Sequence, residues 1–131
     1  MFRYFSLAAI AGLLAPSIAH AAISLSECSA ITAEINKNLP QRVDKLTTAR
    51  ATICAPGAKR PVLVYMMQID ASKSDAPSDL MRTFNETQLR GWCSTPSQNA
   101  LMKMVNIKYI YFDRSNSFVG ETILSIENCP H

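Results

Sequence analysis

The sequence predicts a single α+β domain in which a four-stranded antiparallel sheet packs against helices and two disulfides close the fold. Three observations support this class. The chain has 131 residues, 48% of them hydrophobic, which suits one domain. Segments with helical periodicity are separated by two pairs of strand-like segments, in the order α-β-β-α-α-β-β. Four cysteines lie far apart behind an apolar leader.

The leader at residues 1–21 has the layout of a secretory signal peptide. Arg3 precedes an uncharged apolar run that Pro16 interrupts, and Ala-His-Ala at positions 19–21 places small residues where a signal peptidase cuts. A membrane-spanning helix needs about 20 apolar residues. We therefore expect cleavage and a mature domain at residues 22–131, located in the periplasm or secreted, without stable membrane insertion. A retained membrane anchor is the alternative.

The mature chain opens with a predicted helix over residues 26–38. Apolar residues recur there at three- and four-residue steps, which makes one apolar stripe. Ser24 or Ser26 can cap the start and Glu27 favours the first turn. Pro40 ends the helix, because the residue before a proline is pushed out of helical geometry.

A β-hairpin is predicted next. Residues 42–54 are rich in Val, Thr and Ile and predict the first strand. Pro56-Gly57 marks a turn. Residues 62–69 are almost continuously apolar and predict the second strand.

Two helices are predicted in the middle of the chain. Residues 71–78 predict a polar surface loop, and residues 79–90 a helix that Gly91 ends. Thr95, Pro96 and Gln98 have the spacing of a capping box with proline at the first helical position. They predict a short helix that reaches about residue 104.

A second hairpin is predicted to complete the sheet. Apolar and polar residues alternate over residues 105–112, as in a strand with one covered face. Residues 113–117 contain Asp and Asn, which tolerate left-handed backbone in a hairpin loop. The last strand is predicted over residues 118–128.

The cysteines indicate disulfides. Metal sites usually show close pairs such as C-x-x-C, whereas these four are spaced by 26, 39 and 36 residues. Because the first helix and first strand run in opposite directions, Cys28 approaches Cys54. Cys93 lies between the two middle helices, and the last strand ends at Cys129. We predict the pairs Cys28–Cys54 and Cys93–Cys129, with no metal and no cofactor.

Charge excludes some classes of partner. Without Arg3, the mature chain holds 12 basic and 10 acidic residues, and no basic run exceeds Lys59-Arg60. Nucleic-acid-binding proteins usually show a basic stripe. We therefore expect no nucleic-acid partner.

Catalytic chemistry has little support. The mature chain has one histidine, His131, so a Ser-His-Asp arrangement is implausible. Asp44, near the start of the first strand, and Asp70, at the end of the second, could come close in the hairpin and are a candidate carboxylate pair for a hydrolase. Both are more simply read as solvated strand-end residues. We therefore predict no enzyme and no catalytic residues.

A possible binding surface involves aromatic side chains. Tyr109 and Tyr111 lie at strand spacing and could stack on bases or sugars, although such a row is more often the covered face of a sheet. Together with Tyr65 and Trp92, they are the candidate binding residues.

Several stretches resemble small exported bacterial proteins. They are residues 39–48, the Cys93-Ser94-Thr95-Pro96 run, residues 109–113 and residues 127–129. The resemblance implies a periplasmic α+β module and carries over no catalytic residues.

The functional prediction is a soluble periplasmic protein-binding module. Its partner would be another exported or envelope protein, and its role that of an immunity or inhibitor protein, or of a secretion-system accessory factor. Sheet edges that can accept a partner strand support this reading. The alternative is binding of a small molecule or glycan in a pocket lined by Tyr65, Trp92 and Tyr109.

Overall fold

The computed structural model describes residues 22–72, 74 and 79–130. In chain order the elements are α1 (Leu25–Asn36), β1 (Gln41–Arg42), β2 (Thr47–Ala55), β3 (Val62–Ile69), α2 (Leu80–Ser94), α3 (Pro96–Met102), β4 (Asn106–Phe112), β5 (Phe118–Leu124) and a 3₁₀ helix (Ile126–Asn128). The predicted signal peptide and most of the predicted loop at residues 71–78 lie outside the described residues.

Helix α1 begins with a capping box. The Ser24 hydroxyl accepts a hydrogen bond from the Glu27 N–H at 3.0 Å, and the Glu27 carboxylate accepts one from the Ser24 N–H at 2.9 Å. These bonds satisfy two amide groups at the start of the helix. The stripe of Cys28, Ile31 and Ile35 is buried. The predicted helix is confirmed, although it ends two residues earlier than expected.

The sheet has five strands and is mixed, which corrects the prediction of four antiparallel strands. Its order is β1-β2-β3-β4-β5. The β2–β3 and β4–β5 hairpins are antiparallel as predicted, whereas β3 and β4 are parallel, with Met66 opposite Ile110. The physical reason is the crossover through α2 and α3, which returns the chain to the end of the sheet where β3 began.

The strand predicted over residues 42–54 is in fact two strands. One carboxylate oxygen of Asp44 accepts hydrogen bonds from the N–H groups of Leu46 and Thr47, both at 2.8 Å. Such side-chain bonds to the nearby backbone compete with sheet pairing. The chain therefore turns at residues 43–46, and β1 pairs antiparallel with β2.

Gly91 does not end helix α2, contrary to the prediction. A glycine inside a helix costs only about 1 kcal/mol relative to alanine. The next two residues are held in place, since Trp92 is buried and Cys93 forms a disulfide. Pro96 occupies the first turn of α3 as predicted, but the Thr95 side chain makes no capping hydrogen bond. The predicted capping box is therefore wrong.

The second hairpin has the predicted loop. Asn116 adopts a left-handed backbone conformation with φ of 67°. The Asp113 carboxylate accepts hydrogen bonds from the N–H groups of Ser115 and Ser117 at 2.8 and 2.9 Å. The last strand is shorter than predicted, because the chain after residue 124 turns into the 3₁₀ helix.

Both predicted disulfides are confirmed. Cys28–Cys54 joins α1 to β2, and Cys93–Cys129 joins the end of α2 to the C-terminal segment. In the chain-entropy account, a disulfide that closes a loop of this length stabilises a domain by roughly 3–4 kcal/mol. That is a large share of a typical stability of about 5–15 kcal/mol.

The helices pack on one face of the sheet, and no helix of the described residues covers the other, which we call the open face. Helix α1 contacts β2 and helix α2 contacts β5, near opposite edges. Alternate residues of the central strands are buried on the helix face: Leu63, Tyr65, Met67, Ile107, Tyr109 and Tyr111. Ile53, Phe118 and Ile123 are about half exposed, and their register places them on the open face with Val64, Phe112 and Lys108.

Replacing Gly91 by alanine should stabilise the protein. A Cβ atom at Gly91 would meet no other atom within 4 Å, so the change gains helix propensity of about 0.5–1 kcal/mol without a clash. The measurement is the free energy of unfolding in urea.

The matched control is Gly120→Ala in β5. Its Cβ would lie 2.6 Å from Cγ of Met81, and overpacking of this kind costs about 1–3 kcal/mol. A destabilised Gly91→Ala variant would contradict the continuous helix described above.

Candidate binding groove

An apolar groove lies on the helix side of the sheet, between the first half of α2 and the β1–β2 connection. It consists of two adjoining cavities of about 470 and 440 Å³, which share Asp44, Thr47 and Phe84. The larger cavity is lined by side chains from six parts of the chain, and its apolar lining is Leu46, Ile69, Ala71, Leu80, Phe84 and Val119. The smaller one adds Val43, Met67 and Tyr111.

Helix α2 forms one wall of the groove. Its lining residues are spaced by three, one, three and one positions and therefore share one helical face: Leu80, Thr83, Phe84, Thr87 and Gln88. At 1.5 Å per residue, this face borders the groove over about 12 Å. The groove thus follows the helix for more than two turns.

The β1–β2 connection forms the opposite wall. The Asp44 turn fixes its shape, and the Val43 N–H donates to the Thr47 carbonyl at 2.9 Å. The Asp70 N–H donates to the Leu46 carbonyl at 2.7 Å, which ties the connection to the end of β3. Leu46 is held at the rim with 55% of its surface exposed. Its side chain adds to the apolar lining of the larger cavity.

Tyr111 forms the floor of the groove and packs against Phe84 of the α2 wall. Phe84 and Tyr111 lie with ring centroids 4.7 Å apart. Burial raises the pKa of the Tyr111 hydroxyl, and a hydrogen bond with Gln88 opposes that rise in part. The hydroxyl is therefore neutral near pH 7.

The acidic side chains along the groove are engaged in turns. Asp44 accepts two backbone hydrogen bonds in the β1–β2 connection, and the buried Asp113 accepts two in the β4–β5 loop. Carboxylates used in this way hold loops in shape. The groove consequently presents apolar surface to a ligand, with polar groups at its margins.

Asp44 and Asp70, the two candidates for acid–base catalysis, each make separate local contacts. Asp44 holds its turn, whereas Asp70 is exposed and lies 3.6 Å from the Arg114 guanidinium. The structure gives each carboxylate a partner of its own, the turn amides for Asp44 and the guanidinium of Arg114 for Asp70.

All four aromatic residues predicted as a binding surface are buried in the core. Tyr65, Trp92 and Tyr109 are at most 2% exposed. The Trp92 indole N–H donates to the Tyr109 hydroxyl at 2.8 Å, and the Tyr65 and Tyr109 rings stack 5.0 Å apart. Tyr111 is also buried but borders the groove.

Sequence reasoning missed the apolar residues of the groove, above all Leu46 and Phe84. A signal was available for the first, since Asp-Lys-Leu-Thr at positions 44–47 is suited to a turn in which the aspartate bonds the backbone two and three residues on.

Two further properties concern the described residues. Within residues 22–72, 74 and 79–130, no three His, Cys, Asp or Glu side chains come together as a metal site requires. No helix in that part of the chain has the length and apolar character to span a bilayer.

Comparison with known proteins identifies the fold class through structure. No protein-family model and no curated protein sequence matches the chain. Among solved structures, a candidate secreted protein from Pseudomonas aeruginosa superposes with a TM-score of 0.62 at 14% identity, over 84% of this chain and 99% of that one.

Two pilotins of type II secretion systems share the same fold. EpsS from Vibrio vulnificus has a TM-score of 0.63 at 11% identity, over 82% of this chain and 92% of its own. AspS from Vibrio cholerae has a TM-score of 0.57 at 8% identity, over 80% of this chain and 91% of its own. At these identities the likeness establishes the fold.

Burial of the tyrosines has a measurable consequence at alkaline pH. A chain that starts at Ala22 contains Tyr65, Tyr109 and Tyr111 as its tyrosines, and burial raises the pKa of each hydroxyl. The folded state keeps protons that an unfolded chain releases near pH ~10, so stability falls as the pH rises past that value.

We expect tyrosinate absorbance to appear in one step together with loss of the far-ultraviolet circular dichroism. Tyrosinate formation near pH ~10 in a chain that keeps its native dichroism would show that a tyrosine is exposed.

Proposed function

We propose that this protein is an exported, non-enzymatic accessory factor of a secretion system that binds a segment of another envelope protein. The observation that carries the proposal is the groove, in which apolar side chains form the accessible surface while Asp44 and Asp113 are engaged in turns. The shared fold of EpsS and AspS, both pilotins of type II secretion systems, supports the class of function.

Export has two lines of support. The leader has the charge and apolar pattern of a signal peptide, and all four cysteines are joined in disulfides. Disulfides persist in oxidising compartments such as the periplasm. We accordingly propose that the domain functions outside the cytoplasm.

The shape of the groove favours an amphipathic helix as its occupant. An amphipathic helix presents apolar side chains at three- and four-residue steps. Such a stripe can lie along the face of α2 that lines the groove. The 12 Å of α2 that border the groove match about two turns of a partner helix. Leu46 and Phe84, on opposite walls, would contact its apolar side chains.

Site-specific photo-crosslinking in living cells tests this proposal. A photoreactive amino acid at position 46 should form a covalent adduct with one envelope protein, which mass spectrometry identifies. The same amino acid at position 53 should not, because Ile53 is similarly exposed, at 46% against 55%, but lies on the open face of the sheet. No adduct at position 46, or the same adduct at both positions, would contradict the proposal. An exported toxin as the adduct would favour an immunity role.

A charge placed in the groove should weaken the complex. We expect Leu46→Lys to raise the Kd for the captured partner about tenfold, since a buried lysine charge replaces an apolar contact. Ile53→Lys should leave the Kd unchanged. Titration calorimetry measures both, and an equal effect of the two substitutions would argue against groove binding.

A further inference from the structure

The two outer edges of the sheet differ in whether their backbone N–H and C=O groups are bonded by other parts of the chain. On the β2 side, β1 pairs with Thr48 and Ala49. Further along, the Asn36 side chain covers Thr52: its amide N–H donates to the Thr52 carbonyl at 2.9 Å, and its oxygen accepts from the Thr52 N–H at 2.7 Å. This edge is therefore occupied by groups of the same chain.

At the opposite edge, β5 pairs with β4 alone among the described strands. The Asn106 N–H donates to the Pro61 carbonyl, towards β3, and backbone groups point to alternate sides along a strand. The backbone N–H and C=O groups of the odd-numbered residues of β4 consequently point to β5, where the residues opposite them are Gly120, Thr122 and Leu124. The backbone N–H and C=O groups of Glu121 and Ile123 therefore point away from β4, outward from the edge of the sheet and in its plane.

Strand β5 has only part of the protection that edges usually carry: a β-bulge between its pairings with Tyr111 and Phe112, and the charge of Glu121. Natural edge strands carry lysines, prolines or inward-pointing charges, or are very short. β5 has seven residues, contains no proline or basic residue, and keeps two large apolar side chains, Phe118 and Ile123, about half exposed. Such an edge can accept another strand.

We propose that β5 is a strand-addition site for an extended peptide segment with an apolar–basic–apolar pattern on one face. Backbone hydrogen bonds to Glu121 and Ile123 would hold the segment. The segment's side chains at every second position would determine which sequences bind. The apolar positions lie beside Phe118 and Ile123. The basic position lies beside Glu121, whose side chain is 40% exposed and whose carboxylate lies 3.5 Å from the Lys108 ammonium, so a basic residue of the segment would add a second cation to that pair.

Charge favours such a segment over a second copy of this chain. Antiparallel pairing of β5 with itself about Glu121 would set two carboxylates opposite each other, and like charges in that position are destabilising. Pairing about Thr122 would set Glu121 beside the isoleucine of the other copy. In neither arrangement does the added strand bring a cation to Glu121 beyond the Lys108 of its own copy. The strand-addition site also uses other groups than the groove, so either proposal can fail without the other.

The test uses a synthetic peptide, acetyl-Thr-Val-Thr-Lys-Thr-Val-Thr-amide, and the purified protein labelled with ¹⁵N. We expect the amide signals of Glu121 and Ile123 to shift on titration and to gain protection from hydrogen exchange. The matched peptide with Glu in place of Lys should bind at least tenfold more weakly. Shifts centred on Leu46 and Phe84, or equal affinities for both peptides, would overturn the proposal, as would a concentration-dependent dimer in sedimentation.

Charge reversal gives a second, reciprocal test. Glu121→Lys should prefer the Glu peptide, and Glu121→Gln, which keeps the shape of the side chain, should bind both peptides alike. Ile123→Lys should weaken both by placing a charge on the edge, whereas Ile53→Lys, on the same face in β2, should change neither. Unchanged preference in Glu121→Lys would overturn the assignment of the basic position.

Discussion

The parallel pairing of β3 with β4 is the constraint on which the rest of the structure depends. Parallel neighbours cannot be joined by a tight turn, so the chain must travel back along the sheet before it enters β4. Helices α2 and α3 form this crossover on one face of the sheet. The Cys93–Cys129 disulfide and the hydrogen bond from Trp92 to Tyr109 then hold the crossover against the sheet. The buried aromatic core follows from that arrangement.

Both candidate binding surfaces are consequences of where the crossover lies. Helix α2 packs over β5 while α1 is bound to β2 by the Cys28–Cys54 disulfide, so the helix face keeps a groove beside α2. No helix of the described residues covers the opposite face, and β5 remains the uncovered edge among the described strands. A disulfide-closed scaffold with apolar surface in two places suits the proposed binding of another chain, because pre-organised surfaces lose little entropy on binding.

Local features and the order of the elements were predictable from the sequence, whereas the strand pairing across the crossover and the surfaces that depend on it were not. The capped helix at Ser24, the strand at residues 62–69 and both disulfides depend on local pattern or on element order, and they were predicted correctly. The parallel pairing was missed although a long helical crossover is its usual signature. The tyrosine spacing indicated one face of a strand but not which face the helices cover. The groove could not be foreseen, because Leu46 and Phe84 come together only through the crossover.

The direction of β4 relative to β3 is the most direct test of this account. Nuclear Overhauser contacts between backbone protons should join Val64 to Lys108, Met66 to Ile110 and Gln68 to Phe112, in rising order along both strands. A ladder that runs in the opposite order, with Val64 nearest Phe112, would contradict the crossover and with it the position of the groove.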